Sequence, residues 1–410
     1  MLSKTVLYEA YNQVKSSKGA AGIDGQSLRR FSEKLEEELS NLLLELKGKY
    51  YKPLPVKRVT IPKGDGGERN LGIPAVRDRI VQQALRNLLE PIFDVGFHPS
   101  SYGYRKGRSC HQAINKASLF IRSYNRKWVV DLDLSKCFDT LDHALIIQQV
   151  RNKVVDGSIL NLIRLFLESG VMIGAKTEAT IVGSPQGGVI SPLLANIYLD
   201  RYDQMMKDRK HRIVRYADDI LVLCCSKSAA ENALVVTKCY LETKLKLKVN
   251  QDKTHIVNSD DGVKFLGVEI YTDYTRIQRK KIETLKAKIK WLTRRSRIDK
   301  VNEIIKDLNP IIRGFVNYFK IANCKWIMIS LIKWVRKRLR CIQLKQWKKP
   351  SRLHRRLKQL GYYPPFMGIK MSSWRSASCS LAHMAMPNKW FHNELQLFDP
   401  TKVDVGISAY

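Results

Sequence analysis

Hydrophobic and polar positions along this chain follow two periods, and they divide it into elements. Residues 28–47, LRRFSEKLEEELSNLLLELK, repeat apolar positions at helical spacing. Val56–Pro74 holds two strand-like runs around Gly64-Asp65-Gly66-Gly67, a hairpin signal. A helix is predicted from Arg77 to about Leu89, stopping before Pro91. A Gly- and Arg-rich loop, SYGYRKGRS (101–109), and a helix to about Tyr124 follow. Trp128–Leu134 alternates apolar and acidic residues as a strand does, and residues 143–170 read as helical. The loop GSPQGGVISP (183–192) leads into a further apolar helix. Apolar, β-branched runs then flank Tyr216-Ala217-Asp218-Asp219, which predicts a tight hairpin with acids at its tip. A helix at 228–245, a strand at Lys264–Ile270 and basic helices from 276 to about Lys349 complete the pattern. Residues after 350 mix Pro, Gly and aromatics without a clear period, and no internal repeat is present. The order points to an α+β or α/β architecture, most simply an antiparallel sheet carrying acids followed by an all-helical basic module.

Size and charge narrow the function. At 410 residues the chain exceeds one compact core and predicts two or three domains. A formal net charge of +34 costs self-repulsion and points to a polyanionic partner, nucleic acid before an anionic membrane surface. Residues 276–410 hold 31 Lys/Arg against 7 Asp/Glu, so this third carries +24 of the excess. No apolar run approaches the ~20 residues needed to span a bilayer, and the N-terminus lacks a secretory core, so a cytoplasmic protein without membrane association is expected. Eight cysteines without a CxxC pair read as reduced thiols rather than zinc ligands.

The candidate chemistry lies in two acidic clusters. In Asp131-Leu132-Asp133-Leu134 the strand period puts both acids on one face. With Asp218 and Asp219 they supply enough hard oxygen ligands for two Mg²⁺ ions, the arrangement that serves in-line displacement at phosphorus. On the residues alone, a solvated turn and a polar edge strand stay open beside the metal site. Residues 331–358 interleave Trp with Lys and Arg, suited to phosphates and unpaired bases, with an acidic membrane as the competing surface.

Taken in chain order, KPLPVKRVTIPKGDGGERNLGIPAVRDRIVQQAL (52–85), SYGYRKGRSCHQAI (101–114), DLDLSKCFDTLDH (131–143), GSPQGGVISPLLANIYLD (183–200), RYADDILVL (215–223) and KTHI…KFLGV (253–268) resemble the motifs of group II intron-encoded reverse transcriptase/maturases. LNPIIRGFVNYFK (308–320) is similar to the maturase-specific region. The resemblance implies a right-hand polymerase. Its N-terminal extension and fingers fall at 1–100, and palm with remaining fingers elements at 101–275, the reverse transcriptase domain being 50–275. The basic thumb/maturase domain falls at 276–349, and 350–410 is a C-terminal segment, a possible reduced DNA-binding region.

It also assigns roles. In the family's first acidic motif the metal-binding Asp precedes an aromatic by five positions, which selects Asp133 and Phe138. Asp133, with Leu134's carbonyl, Asp218 and Asp219 would hold two Mg²⁺, with Mn²⁺ able to substitute; Asp131 and Asp139 would support them. Phe138 would be the steric gate against ribonucleotides. Lys63 and Arg69 would clamp the incoming triphosphate, Gln186 and Gly187 would lie against the nascent base pair, and Lys253 would be the general acid for pyrophosphate. Phe265, Leu266 and Gly267 would form the primer grip. The implied partners are an RNA template, DNA primer and cDNA, dNTPs, and group II intron RNA as a ribonucleoprotein in the bacterial cytosol, beside the nucleoid when acting on DNA. No Cys/His endonuclease motif precedes Tyr410, which suggests the endonuclease-lacking type. The expected function is reverse transcription with assistance to splicing and mobility. A splicing-only maturase and a domesticated enzyme of DNA repair or phage defence are the alternatives.

Overall fold

The computed structural model describes residues 3–62, 67–173, 176–178 and 187–406, with the side chains of Arg69 and of residues 171–178 left out. The chain divides into two compact units, Met1–Asn258 and Ser259–Tyr410.

The first unit opens with α1 (Lys4–Ser16), α2 (Leu28–Glu33) and α3 (Leu35–Lys47). The predicted helix at 28–47 therefore breaks at Lys34, whose φ of −121° leaves the helical region. β1 (Val56–Pro62) and β2 (Glu68–Ile73) form the expected antiparallel hairpin, with Ile61 opposite Arg69. α4 (Val76–Asp94) runs through Pro91 instead of stopping before it. Proline removes one helical hydrogen bond near the end of the helix, and burial of Leu89 and Phe93 on either side outweighs that loss.

Next come α5 (Cys110–Arg122), β3 (Trp128–Leu132), α6 (His143–Arg151) and α7 (Gly157–Glu168). The predicted helix at 143–170 is thus two, because Asp156 caps a fresh start by accepting from the amides of Ser158 and Ile159. β4 (Val171–Ile173) and β5 (Lys176–Glu178) join β1 and β2 in a sheet of order β2-β1-β4-β5. α8 (Ser191–Asp208), β6 (Arg212–Tyr216), β7 (Asp219–Cys224), α9 (Lys227–Thr243) and β8 (His255–Asn258) complete the unit. Its second sheet is antiparallel, in the order β6-β7-β3-β8.

In the second unit, the run expected as one strand at Lys264–Ile270 folds into a hairpin. β9 (Val263–Phe265) and β10 (Val268–Ile270) pair antiparallel across Leu266 and Gly267, both with positive φ, and β11 (Thr275–Ile277) adds a third strand. Long helices follow as α10 (Arg279–Leu292), α11 (Val301–Phe319) and α12 (Lys325–Trp347), then the shorter α13 (Pro350–Gln359) and α14 (Ser380–Ala385). Residues after 350 are structured against α12. Arg340 is buried, donates to the Met386 carbonyl (3.0 Å) and Asn388 Oδ1 (2.9 Å), and lies over the Phe391 ring. Burial lowers its pKa to about 10, which leaves it charged at neutral pH. All eight cysteines are free thiols, and no helix among the described residues is long and apolar enough to cross a membrane.

Arg340→Ala leaves the Met386 carbonyl without its partner and is expected to cost about 2–3 kcal/mol. A lowered denaturant midpoint for the second unit at unchanged slope is the expected result; an unchanged midpoint contradicts it.

Candidate active site

The acidic turn is built as the alternating pattern predicts. Tyr216 and Asp219 face each other across β6 and β7, with Ala217 and Asp218 as a two-residue loop. Ala217 has φ of +60°, a conformation that favours glycine, so the surroundings must hold it. The network that holds it is buried. Arg215 donates from Nε and Nη2 to both carboxylate oxygens of Asp203 (2.6–3.0 Å). Its Nη1 reaches Asn196 Oδ1 (2.9 Å) and the Ala217 carbonyl itself (3.0 Å). Arg215 and Asp203 are both fully buried. Asn196 and Asp203 lie seven residues apart on α8, two turns along the same face.

A second support comes from the loop at 101–109. Arg215 accepts from the Tyr102 amide and donates its own to the Ser100 carbonyl, both at 2.9 Å. Asn196 Nδ2 donates to the Gly103 carbonyl (2.8 Å). A Cβ built on Gly103 would stand 2.3 Å from the Ala217 nitrogen, so only glycine lets this loop seat against the turn.

Asp133 arrives from the neighbouring strand. The β3–β7 register pairs Leu132 with Ile220, and β3 ends one residue before Asp133. A separate clamp then fixes Asp133. Asn250 Nδ2 donates to its Oδ2 (3.0 Å), the Asn250 amide donates to its carbonyl (2.9 Å), and its own amide donates to Thr254 Oγ1 (3.4 Å). Lys253 is exposed on that same Asn250–Thr254 turn, beside the residues that hold Asp133.

The acids act on one another. Burial, then the charges of Asp131, Asp218 and Asp133, push the Asp219 carboxyl up to about 8. Asp131, expected only to support the site, is the carboxylate that weighs most on Asp219. Among the described residues no three His, Cys, Asp or Glu side chains converge as a ready-made metal cage. The donors are nonetheless carboxylate oxygens, the hard donors that suit Mg²⁺.

Other expected residues fall at different places. Phe138 is buried on the 3₁₀ turn Cys137–Asp139, its ring edge-on to Tyr104 of the 101–109 loop at 6.4 Å. Gly187 has φ of +118°, and a Cβ there would lie 2.2 Å from the Gly72 carbonyl of β2, so its backbone abuts the β1–β2 sheet. Gln82 Oε1 holds the following segment by accepting from the Val189 amide (2.7 Å). Lys63 and Gln186 lie outside the described residues, as does the side chain of Arg69. In the second unit Phe265 is buried, and the Leu266 carbonyl accepts from Tyr318 (2.9 Å), which fixes the Leu266-Gly267 turn.

Comparison with known proteins bears on this arrangement. Residues 61–270 match the family model described as reverse transcriptase (RNA-dependent DNA polymerase), and residues 282–362 match the group II intron, maturase-specific domain. The chain belongs to the group II intron-encoded reverse transcriptase/maturase family. Its enzyme class is RNA-directed DNA polymerase. Protein YkfC of Escherichia coli (strain K12) is 38% identical over 64% of this chain and 79% of its own length. Group II intron-encoded protein LtrA of Lactococcus lactis subsp. cremoris is 30% identical over 78% of this chain, a match spanning 63% of LtrA. Among solved structures, apo telomerase from Candida Tropicalis gives a TM-score of 0.48 at 11% identity over 80% of this chain and 66% of that one, a loose likeness.

Two measurements test the site's physics. Arg215→Lys keeps a charge but loses the fork, leaving Asp203 and the Ala217 carbonyl short of donors. A loss of about 3–5 kcal/mol is expected on urea unfolding, as for a broken buried pair. In metal-free buffer, the Asp219 carboxyl keeps its proton to about pH 8 when folded and to near 3.8 when unfolded. Its contribution to stability is therefore lost progressively as pH rises from about 4 through 8. Asp219→Asn is expected to flatten that decline in Tm, and added Mg²⁺ to reverse it; parallel pH profiles for parent and variant would contradict the shift.

Proposed function

We propose that this chain copies RNA into DNA at the Asp133–Asp218–Asp219 site and binds group II intron RNA to assist splicing and mobility. Its substrates are then a primed RNA template and dNTPs, and its place is the bacterial cytosol. The observation that carries the catalytic half is the placement of Asp218 and Asp219 on the β6–β7 turn beside the end of β3, the paired strand that leads into Asp133. Two Mg²⁺ ions, or Mn²⁺ in their place, held by Asp133, the Leu134 carbonyl, Asp218 and Asp219, would supply the charge neutralisation that activates a 3′-hydroxyl and eases departure of pyrophosphate.

The protein's own residues do the positioning. Asn250 fixes one oxygen of Asp133, and Arg215 sets the carbonyl that precedes Asp218. In the transfer, the primer 3′-hydroxyl gives up its proton to solvent as its oxygen bonds to the α-phosphorus and the bond to pyrophosphate breaks, and Lys253, exposed beside Asp133's clamp, gives a proton to the leaving oxygen. Phe138 limits the space for a ribose 2′-hydroxyl. Gly187 brings bare backbone to the nascent pair, while Lys63, Arg69 and Gln186 contact the incoming nucleotide. The turn Phe265-Leu266-Gly267 grips the primer.

The RNA-binding half is supported by the maturase-specific match at 282–362 and by the charge excess of 276–410. Trp291 on α10, with Arg294 over its ring, and Trp326 on α12, next to Lys325 in sequence, stand 64% and 76% exposed, as stacking surfaces for unpaired bases should.

Primer extension on poly(rA)/oligo(dT) with Mg²⁺ tests the reading. Asp133→Ala and Asp218→Ala are each expected to abolish cDNA synthesis while leaving RNA binding intact; normal extension by either variant sinks the site. Phe138→Ala is expected to raise ribonucleotide incorporation, and unchanged selectivity removes the gate. Splicing that survives Asp218→Ala separates the maturase role from the polymerase.

A further inference from the structure

At the opposite end of β6 from the acidic turn, the first unit carries a cleft of about 410 Å³. Arg212, at its rim, begins the strand that ends at Tyr216, about 13 Å away by strand rise. Arg108, Lys116, Lys207 and Arg212 line it, with the imidazoles of His98 and His211, and no carboxylate does. Elsewhere in this unit closely packed arginines meet acids, as Arg77 meets Glu45 and Arg105 meets Asp94. Four cations gathered without one make a surface suited to an anion.

Aromatic rings pre-orient two of the cations. Arg108 lies over Tyr102 at 5.6 Å and Lys116 over Phe120 at 4.9 Å. Phe120 meets Tyr124 edge-on at 5.7 Å, and Tyr124 is 53% exposed, so one ring face is open to a planar group. Both imidazoles are held below the ordinary histidine value, chiefly by burial; Arg209 and Arg126 add to the effect at His211, and Lys207 adds to it at His98, where the Asp203 carboxylate is the strongest charge and opposes it. Arg215 and Arg105 act on His98 in the same sense as Lys207.

Phosphate on its own would satisfy the charges but leave the open ring unused. A duplex satisfies phosphate sites while keeping its bases stacked inside. An unpaired strand uses both, since its phosphates meet cations and a splayed base stacks on an aromatic face. We propose that this cleft binds an unpaired stretch of RNA, its phosphates on Arg108, Lys116, Lys207 and Arg212 and a base against Tyr124. The inference rests on the reading that the chain works on RNA, and it places a second contact for the strand remote from the acidic turn.

The test uses the full chain and a fluorescein-labelled 15-nucleotide oligouridylate, followed by anisotropy across KCl concentrations. Arg108→Ala/Arg212→Ala is expected to bind about tenfold more weakly, with the log–log salt slope shallower by about 1.4, the share of two phosphate contacts on a single strand. Tyr124→Ala is expected to weaken binding about tenfold at an unchanged slope. RNA carrying 4-thiouridine should crosslink to peptides within 98–124 or 207–213. Primer extension on a paired template with a short overhang should stay within twofold of the parent. Lys207→Glu, on the exposed end of α8, gives the same reading should the double variant fold poorly. Unchanged affinity and slope in the variants, with the parent binding RNA, overturn the cleft alone. Failure of the parent to bind RNA overturns the RNA reading and this proposal with it.

Discussion

The buried pair of Arg215 and Asp203 is the constraint on which the acidic turn depends. Placing two full charges where water cannot reach costs several kcal/mol per ion, and their attraction seldom returns a surplus. Stability is therefore a poor reason for the pair. Its donors give a better one, because the guanidinium fork reaches Asp203, Asn196 and the Ala217 carbonyl in a single plane. That ties a helix, a strand and a strained loop residue to one rigid group. The 101–109 loop closes on the same arginine through its backbone, and Gly103 leaves no room for a side chain between loop and turn. The tip carrying Asp218 and Asp219 is held from two sides before any ligand arrives.

Much of this was legible in the residues. The acidic hairpin, the β1–β2 hairpin and the acid-bearing strand follow from strict alternation and Gly-rich turns, and the structure has all three. Helix ends were less legible, because single residues decide them: Lys34 leaving the helical region, Asp156 starting a new helix, Pro91 outweighed by buried neighbours. The run at Lys264–Ile270 read as one strand because its period continues through the turn that Leu266 and Gly267 make.

The supporting residues were harder to find. Arg215 looks like one more cation in a chain of net charge +34, and Asn250 like an ordinary turn residue. One signal was available: Asn196 and Asp203 recur at helical spacing among the apolar positions of α8, where a buried polar residue needs a partner. The charge effect of Asp131 on Asp219 was hidden for a related reason. Spacing to an aromatic ranks acids by role, whereas the field at Asp219 depends on proximity through space.

The clamp on Asp133 also has a bearing on how the protein is made. Asn250 stands 117 residues further along the chain, on the segment that leads into the last strand of its sheet. Long-range pairings of this kind form late, after loop-closure entropy has been overcome. During synthesis the strand bearing Asp133 leaves the ribosome well before the residues that orient it, and domains fold largely as units as they emerge. Until residue 254 is free, Asp133 lacks the groups that orient it.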